Sequence, residues 1–113
     1  MITIDAEGKT LGRVASAAAK VLIGKHSVAF AKNIVVGEEV KIINASKVRV
    51  SGTKTLNKEY VRYSGYPGGQ KHETYAMLTA RRGEGEAIRR AVLGMLPKNR
   101  LQAKRIKLLT IEK

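Results

Sequence analysis

The first 44 residues combine an apolar strand, an amphipathic helix and a second apolar strand, and this order constrains the fold more than any other feature of the sequence. Residues 1–5 are rich in isoleucine, which favours a short buried strand. Apolar residues then recur from Leu11 to Leu22 at the spacing of a helix with one buried face, between a cap at Thr10 and a stop at Gly24. Residues 40–44 predict the second strand. Two strands joined through a helix predict a parallel, right-handed βαβ unit.

The remaining sequence predicts shorter elements around this unit. Residues 28–37 predict an irregular connection, and the alternation in residues 48–51 indicates a third strand. Residues 73–82 and 87–95 predict two helices, the second of which ends near Leu96 because Pro97 cannot continue it. Asn99 is a favourable cap for a short third helix, and residues 108–111 predict a last strand. A length of 113 residues suggests one domain, residues 1–113.

A basic run follows the Pro97 corner. Residues 98–107 contain the cations Lys98, Arg100, Lys104, Arg105 and Lys107 and no acid, and we expect the short helix to carry most of them. Like charges at such spacing repel each other, so helix stability does not explain them. The net charge is +13, of which residues 54–113 contribute +9, from 14 Lys and Arg against 5 acids. This balance favours a nucleic acid or another polyanion, although a merely solvated basic face is the simpler alternative.

Aromatic and basic residues alternate in residues 58–72, which hold three of the four tyrosines and the turn sequence GYPGG. Cations that meet phosphates, beside rings on which bases stack, are typical of RNA-binding surfaces. The alternative is that each ring is half-buried and only its hydroxyl reaches water.

The sequence offers little for catalysis. Gly8-Lys9-Thr10 lies between a strand and a helix, but a phosphate-binding loop needs a further glycine where this chain has Thr3. The same helix start could still bind one RNA phosphate beside Lys9. The two histidines are far apart, cysteine is absent, and no Ser/His/Asp arrangement can be assembled, so we expect neither an enzyme nor a metal site nor a cofactor. No apolar run is long enough to span a membrane, and no signal peptide is expected.

Four stretches together resemble the large-subunit ribosomal protein thirteen family in its bacterial form. They read GKTLGR (residues 8–13), INA and KV (43–45 and 47–48) with Gly52, GYPGG (65–69) and GMLPKNRL (94–101). They occur in the family's order and at similar spacing, and the last stretch is the most specific. Family members generally extend further at both ends than this sequence does, so the resemblance assigns no residues here to the contacts that such extensions make. Residues 28–39 match poorly, and no contact residue is assigned to them.

The resemblance implies a three-layer α/β/α domain with a small, mainly parallel sheet of about four strands. It implies a cytoplasmic, structural role in the large ribosomal subunit, bound to large-subunit ribosomal RNA (rRNA) of the 23S type and to neighbouring large-subunit proteins. It further implies a contribution to early subunit assembly and translation, without catalysis, a small-molecule substrate or a membrane. The RNA-binding surface is expected mainly within residues 54–107.

The RNA-facing candidates are the positions that match the family's motifs, and the charge pattern favours most of them independently. They are Lys9, Arg13, Lys54, Pro67, Gly68, Gly69, Lys71, His72, Arg81, Arg82, Lys98, Asn99, Arg100, Lys104 and Arg105.

Two other functions remain open on the sequence alone. One is a free RNA-binding translational regulator that acts on messenger RNA, since the same basic surface would serve it. The other is a small nucleotide-binding enzyme built on the βαβ unit, although the missing phosphate-loop glycine argues against it.

Overall fold

A computed structural model of the chain describes residues 2–25, 27–28, 33–35, 38–50, 52 and 57–113. Its elements, in chain order, are β1 (Ile2–Asp5), α1 (Leu11–Ile23), β2 (Val40–Ile43), a 3₁₀ turn (Ala45–Lys47), β3 (Glu59–Tyr63), β4 (Gln70–Thr74), α2 (Tyr75–Arg82), α3 (Glu84–Met95), α4 (Gln102–Ile106) and β5 (Leu109–Ile111).

A parallel sheet of order β1-β2-β5 forms the centre of the fold. Ile2 pairs with Val40, and Val40 pairs on its other side with Leu109. The predicted mixed α/β fold with a mainly parallel sheet is thereby confirmed, although this sheet has three strands rather than about four in the described part of the chain.

The strand predicted over residues 48–51 is wrong in its described part. Val48 to Val50 contributes only one isolated parallel bridge, between Arg49 and Thr10. The 3₁₀ turn Ala45–Lys47 changes the direction of the chain after β2, beginning at Asn44, whose φ is +56°. Residues 48–50 therefore run beside the start of α1 instead of joining the sheet.

Helix α1 forms where its periodicity predicts it. Leu11, Val14, Ala15, Ala18 and Leu22 face the interior, whereas Arg13, Ser16 and Lys20 are exposed. Gly24 ends the helix in the left-handed conformation, with φ of +90°, and its N–H bonds the carbonyl of Val21 at 3.0 Å. The side chain of Thr10, by contrast, makes no capping hydrogen bond.

One hydrophobic cluster joins α1, the sheet, α2 and α3. Ile42 of β2, Leu78 of α2 and Ile88 and Val92 of α3 are fully buried in it. This core fixes the relative positions of the elements that carry the basic side chains.

A β-hairpin occupies the region where the sequence predicts only a turn. β3 and β4 pair antiparallel in a separate two-stranded sheet. Helix α2 consequently begins at Tyr75 and not at Glu73, and Thr74 caps it by accepting a hydrogen bond from the Met77 N–H at 3.3 Å.

The corner after α3 has the predicted position. α3 ends at Met95, and Leu96 is buried, with 2% of its surface exposed, in front of Pro97. Asn99 does not cap a helix: its Oδ1 accepts a hydrogen bond from the Leu101 N–H at 3.0 Å, and α4 begins only at Gln102. Of the five cations of the basic run, Lys98 and Arg100 therefore lie on the corner before α4, and Lys107 follows its last residue. Only Lys104 and Arg105 lie on α4 itself.

Among the described residues, we find no helix that combines the length and the apolar character needed to cross a membrane.

Candidate nucleic-acid interface

The turn before α1 exposes Lys9, and the first turn of α1 exposes Arg13. Gly8 makes this turn with φ of +70°, in the left-handed region that favours glycine. The Arg49 N–H donates to the Lys9 carbonyl at 2.9 Å, and the Leu11 N–H donates to the Arg49 carbonyl at 3.0 Å. The backbone that carries these cations is therefore fixed against residues 48–50.

The tip of the β3–β4 hairpin is a tight turn that contains the predicted Pro67, Gly68 and Gly69. The Gly69 N–H donates to the Tyr66 carbonyl at 2.9 Å. A Cβ atom at Gly69 would lie only 2.9 Å from that same oxygen, so the turn requires a glycine there. Pro67 and Gly68 are exposed at the tip.

The tyrosines differ in their surroundings. Tyr63 and Tyr66 are 66% and 74% exposed on the hairpin, so their rings are accessible to a base. Tyr60 is partly buried at the base of the hairpin, and Tyr75 is buried in the core. The half-buried alternative therefore describes Tyr60 but not Tyr63 or Tyr66.

The hairpin also presents cations. Lys71 lies directly opposite Arg62, and two like charges in this position repel each other unless an anion lies near them. The Nδ1 atom of His72 is 3.2 Å from a carboxylate oxygen of Glu59, and both side chains are exposed.

Arg81 and Arg82 lie at the end of α2, as predicted. Arg81 forms an ion pair with Glu73, whereas Arg82 has no ion-pair partner among the residues that the structure describes. Arg81 donates two hydrogen bonds to the Glu73 carboxylate, both of 2.8 Å. This pairing holds the pKa of Glu73 below its usual value and raises the pKa of Arg81. The pair joins the end of α2 to β4 and fixes the base of the hairpin.

A surface that we call the basic corner comprises the exposed residues Lys98, Asn99, Arg100 and Lys104. Two contacts fix its backbone to the rest of the domain. Leu96 is buried in the core, and the Gln102 side chain donates a hydrogen bond to the Leu93 carbonyl at 2.8 Å. This bond also satisfies one of the free carbonyls at the end of α3.

Arg105 was predicted to lie on the RNA-binding surface, but the structure places it in the interior. Only 1% of its surface is exposed, and its Nη2 atom donates to the Ile34 carbonyl at 3.4 Å. Neither Nε nor Nη1 has a hydrogen-bond partner within the described part of the chain. Arg105 therefore cannot meet RNA at the surface in this conformation, because α4 turns it inward. Lys54 lies outside the described residues.

The fold also brings together cations that no sequence motif connects. A groove of about 700 Å³, here called the Tyr60 groove, lies between the start of α1, the base of the hairpin and α3. Its polar lining includes Arg13, Arg49, Lys58, Tyr60 and Arg90. Only Arg13 among these is a site residue predicted from the sequence, because no periodicity connects positions 13, 49, 58 and 90.

Taken together, these surfaces offer positive charge and exposed aromatic rings. Across the described ranges, no group of three or more His, Asp or Glu side chains is placed to hold a metal ion. The arrangement suits the neutralisation of a polyanion and the stacking of unpaired bases.

Comparison with known proteins gives a consistent result. The profile of the family described as Ribosomal protein L13 matches residues 1–111. The chain is 51% identical over 98 residues to the large ribosomal subunit protein uL13 of Symbiobacterium thermophilum, covering 87% of this chain and 68% of that protein. It is 48% identical over 108 residues to proteins of the same name from Moorella thermoacetica and Burkholderia vietnamiensis, covering 96% of this chain and 74% and 75% of those proteins.

Proposed function

Because this chain belongs to the ribosomal protein L13 family, we propose that it is a structural, non-catalytic constituent of the large ribosomal subunit in the cytoplasm. It binds large-subunit rRNA, contacts neighbouring large-subunit proteins and supports early assembly of the subunit. The observation that carries this proposal is the family match over residues 1–111.

The surface chemistry supports RNA as the partner. The net charge of +13 disfavours a free protein without an anionic partner, because the like charges repel one another in the folded state. Exposed cations occur on the turn before α1, on the hairpin and on the basic corner. We assign the RNA contacts to these three surfaces of a single domain of residues 1–113, with the larger share within residues 54–107.

Recognition on such a surface relies on phosphates and on RNA shape. The deep major groove of A-form RNA is closed to side chains, so sequence is read mainly at unpaired bases. The exposed rings of Tyr63 and Tyr66, at the hairpin that also carries Lys71, are suited to such bases. The hairpin therefore supplies contacts to irregular RNA, and the basic corner supplies charge.

The test is binding to fragments of large-subunit rRNA across a salt series, with an unrelated structured RNA as competitor. We expect tight binding to one fragment that resists the competitor and weakens steeply as salt rises. Equal binding to both RNAs would contradict a defined rRNA site. Sedimentation in cell extracts distinguishes the proposed function from that of a free regulator of messenger RNA. The protein should sediment with large subunits, whereas such a regulator would stay free of them.

A further inference from the structure

We propose that the Tyr60 groove binds the phosphate groups of one RNA strand, an inference that rests on the proposed function and adds a subsite to it. Arg49, Lys58, Tyr60 and Arg90 are not among the residues that the family resemblance implies. The groove would extend the RNA-binding surface from the hairpin to the start of α1.

The groove is positively charged, which is the first observation in favour of an anionic ligand. Its lining includes four cations, Arg13, Arg49, Lys58 and Arg90, and no acid. Only Arg90 has an ion-pair partner within the described residues: its Nε is 3.2 Å from a carboxylate oxygen of Glu86, on the same helix. Uncompensated cations that line one concave surface repel each other and concentrate anions there.

The fold holds these cations in place before any ligand arrives. Two backbone hydrogen bonds fix Arg49 against the start of α1, and the Tyr75 N–H bonds the Lys58 carbonyl at 3.0 Å. Arg90 belongs to α3, whose buried face packs in the core. Little backbone freedom is lost when an anion binds to such a site, which favours affinity.

The ring of Tyr60 organises two of the cations. The Lys58 Nζ atom lies 5.5 Å from the ring centroid and the Arg90 Cζ atom 5.2 Å from it. Such contacts orient the charged groups but do not neutralise them. A carboxylate in the place of the ring would neutralise them. The aromatic ring therefore holds two cations close together. Arg90 is paired through its Nε with Glu86, whereas Lys58 has no carboxylate partner among the described residues.

Continuity with the hairpin points to an RNA strand and not to a small anion. Tyr60 and Arg62 lie on the same face of β3, about 7 Å apart along the strand. Lys71 is the cross-strand neighbour of Arg62 on that face. The same face also carries the Glu73 side chain, directly opposite Tyr60. Its carboxylate is already bound by Arg81. A line of positive charge thus leads out of the groove along the hairpin.

The test compares two variants with the same loss of charge. Arg49→Gln with Lys58→Gln removes two groove cations, and both side chains are exposed, so folding should be unaffected. Lys20→Gln with Lys113→Gln removes two exposed cations elsewhere and serves as the matched control. Thermal unfolding of both variants verifies the fold before affinity for the rRNA fragment is measured across a salt series.

We expect the groove variant to lose at least about tenfold in affinity and the control less than about threefold. The slope of log affinity against log salt should fall by roughly 0.7 for each lost contact to a single strand. If the unmodified chain binds the rRNA fragment and the two variants bind it equally, the groove proposal is wrong while the proposed function stands. If the unmodified chain shows no preference for the fragment, the proposed function itself fails.

A second arm distinguishes RNA from free phosphate. A short single-stranded RNA and inorganic phosphate are titrated at constant ionic strength against the unmodified chain, with amide signals of Arg49 and Lys58 followed by nuclear magnetic resonance. We expect the RNA to shift these signals at concentrations at least about a hundredfold lower than phosphate. Equal concentrations for both ligands would show a simple anion site and overturn the strand assignment.

Discussion

Arg105 shows how the surroundings of one residue override its chemical type. From the sequence it belongs to a basic run and is expected at the surface, yet its guanidinium is buried with two nitrogens unpartnered in the described part of the chain. A buried charge without full hydrogen bonding stabilises a fold poorly. Its aliphatic stem, however, can pack against apolar surface, since Arg105 lines the same pocket as Ile23 and Leu96.

Substitution of Arg105 should therefore affect stability in a way that depends on the new side chain. We expect Arg105→Met to leave the free energy of unfolding unchanged or to raise it, since an apolar chain of similar volume needs no hydrogen bonds. Arg105→Glu should lower it by about 3 kcal/mol or more, because a buried carboxylate would face the Ile34 carbonyl. Urea unfolding measures both. The exposed neighbour Lys104→Glu is the control, and a loss there as large as that of Arg105→Glu would contradict the burial of Arg105.

The Glu73–Arg81 pair predicts a pH dependence at the base of the hairpin. The pKa of Glu73 is lowered in the folded protein from its usual value of 4.5, first by the hydrogen bonds from Arg81. Folding therefore favours the carboxylate, and this stabilisation is complete above about pH 5 and lost as the pH falls through the lowered pKa.

We expect Glu73→Gln to reduce the decline in stability of the chain below about pH 4.5. Arg81→Gln should have the same effect, because it returns the pKa of Glu73 toward its usual value. Thermal unfolding of the three proteins between about pH 3 and pH 7 measures this. Identical acid profiles in all three would show that the pair does not contribute.

Among the elements, α1 is the one that the sequence predicts best. Its apolar spacing from Leu11 to Leu22 and its glycine stop appear in the structure with nearly the same bounds. The strands of the parallel sheet are predictable for a related reason, since they are short apolar runs. Local pattern and tertiary packing agree in both cases.

The hairpin was not predictable in the same way, because its strands are mostly exposed. Val61 is 53% exposed and Tyr63 66%, so no apolar and polar faces alternate as they do in a strand packed on a core. For residues 48–50 the opposite happened: a strand was predicted from their alternating apolar and polar residues, but none forms. The 3₁₀ turn before them leads the chain away from the sheet. The Tyr60 groove is formed partly by these two regions, so the sequence could not predict that its lining residues lie together.

Truncation of the buried face of α1 tests this element. Leu22 is fully buried, and Leu22→Ala should lower the free energy of unfolding by about 2–5 kcal/mol through lost apolar burial and the cavity left behind. Lys20→Ala, on the exposed face of the same helix, should change it by less than about 0.5 kcal/mol. Urea unfolding measures both, and equal effects would mean that the apolar face is misplaced.

The whole molecule is flat, with extents of 45 × 37 × 21 Å and a radius of gyration of 15.0 Å. A compact domain of 100 residues has a radius of gyration of about 13 Å. A flat body with an exposed hairpin presents more surface for its size, which suits a protein whose partner supplies the opposite charge.

At this scale we expect the basic corner to contribute affinity without contributing stability. Arg100→Gln with Lys104→Gln should weaken rRNA binding at least about tenfold and lower the salt slope by up to about 0.9 per contact. The melting temperature should stay the same, since both side chains are exposed and lie outside the core. Lys20→Gln with Lys113→Gln is again the control, and equal affinity for the two variants would remove the basic corner from the interface.

The order of the central sheet also has a consequence for how the chain folds. β2 lies between β1 and β5, so Val40 can complete its pairing only with Leu109, from the other end of the sequence. Contacts so distant in sequence slow folding. During synthesis β1, α1 and β2 emerge well before β5, and until β5 docks one edge of β2 offers unpaired backbone groups to other chains. Newly made protein therefore presents an aggregation-prone strand edge until β5 pairs with β2.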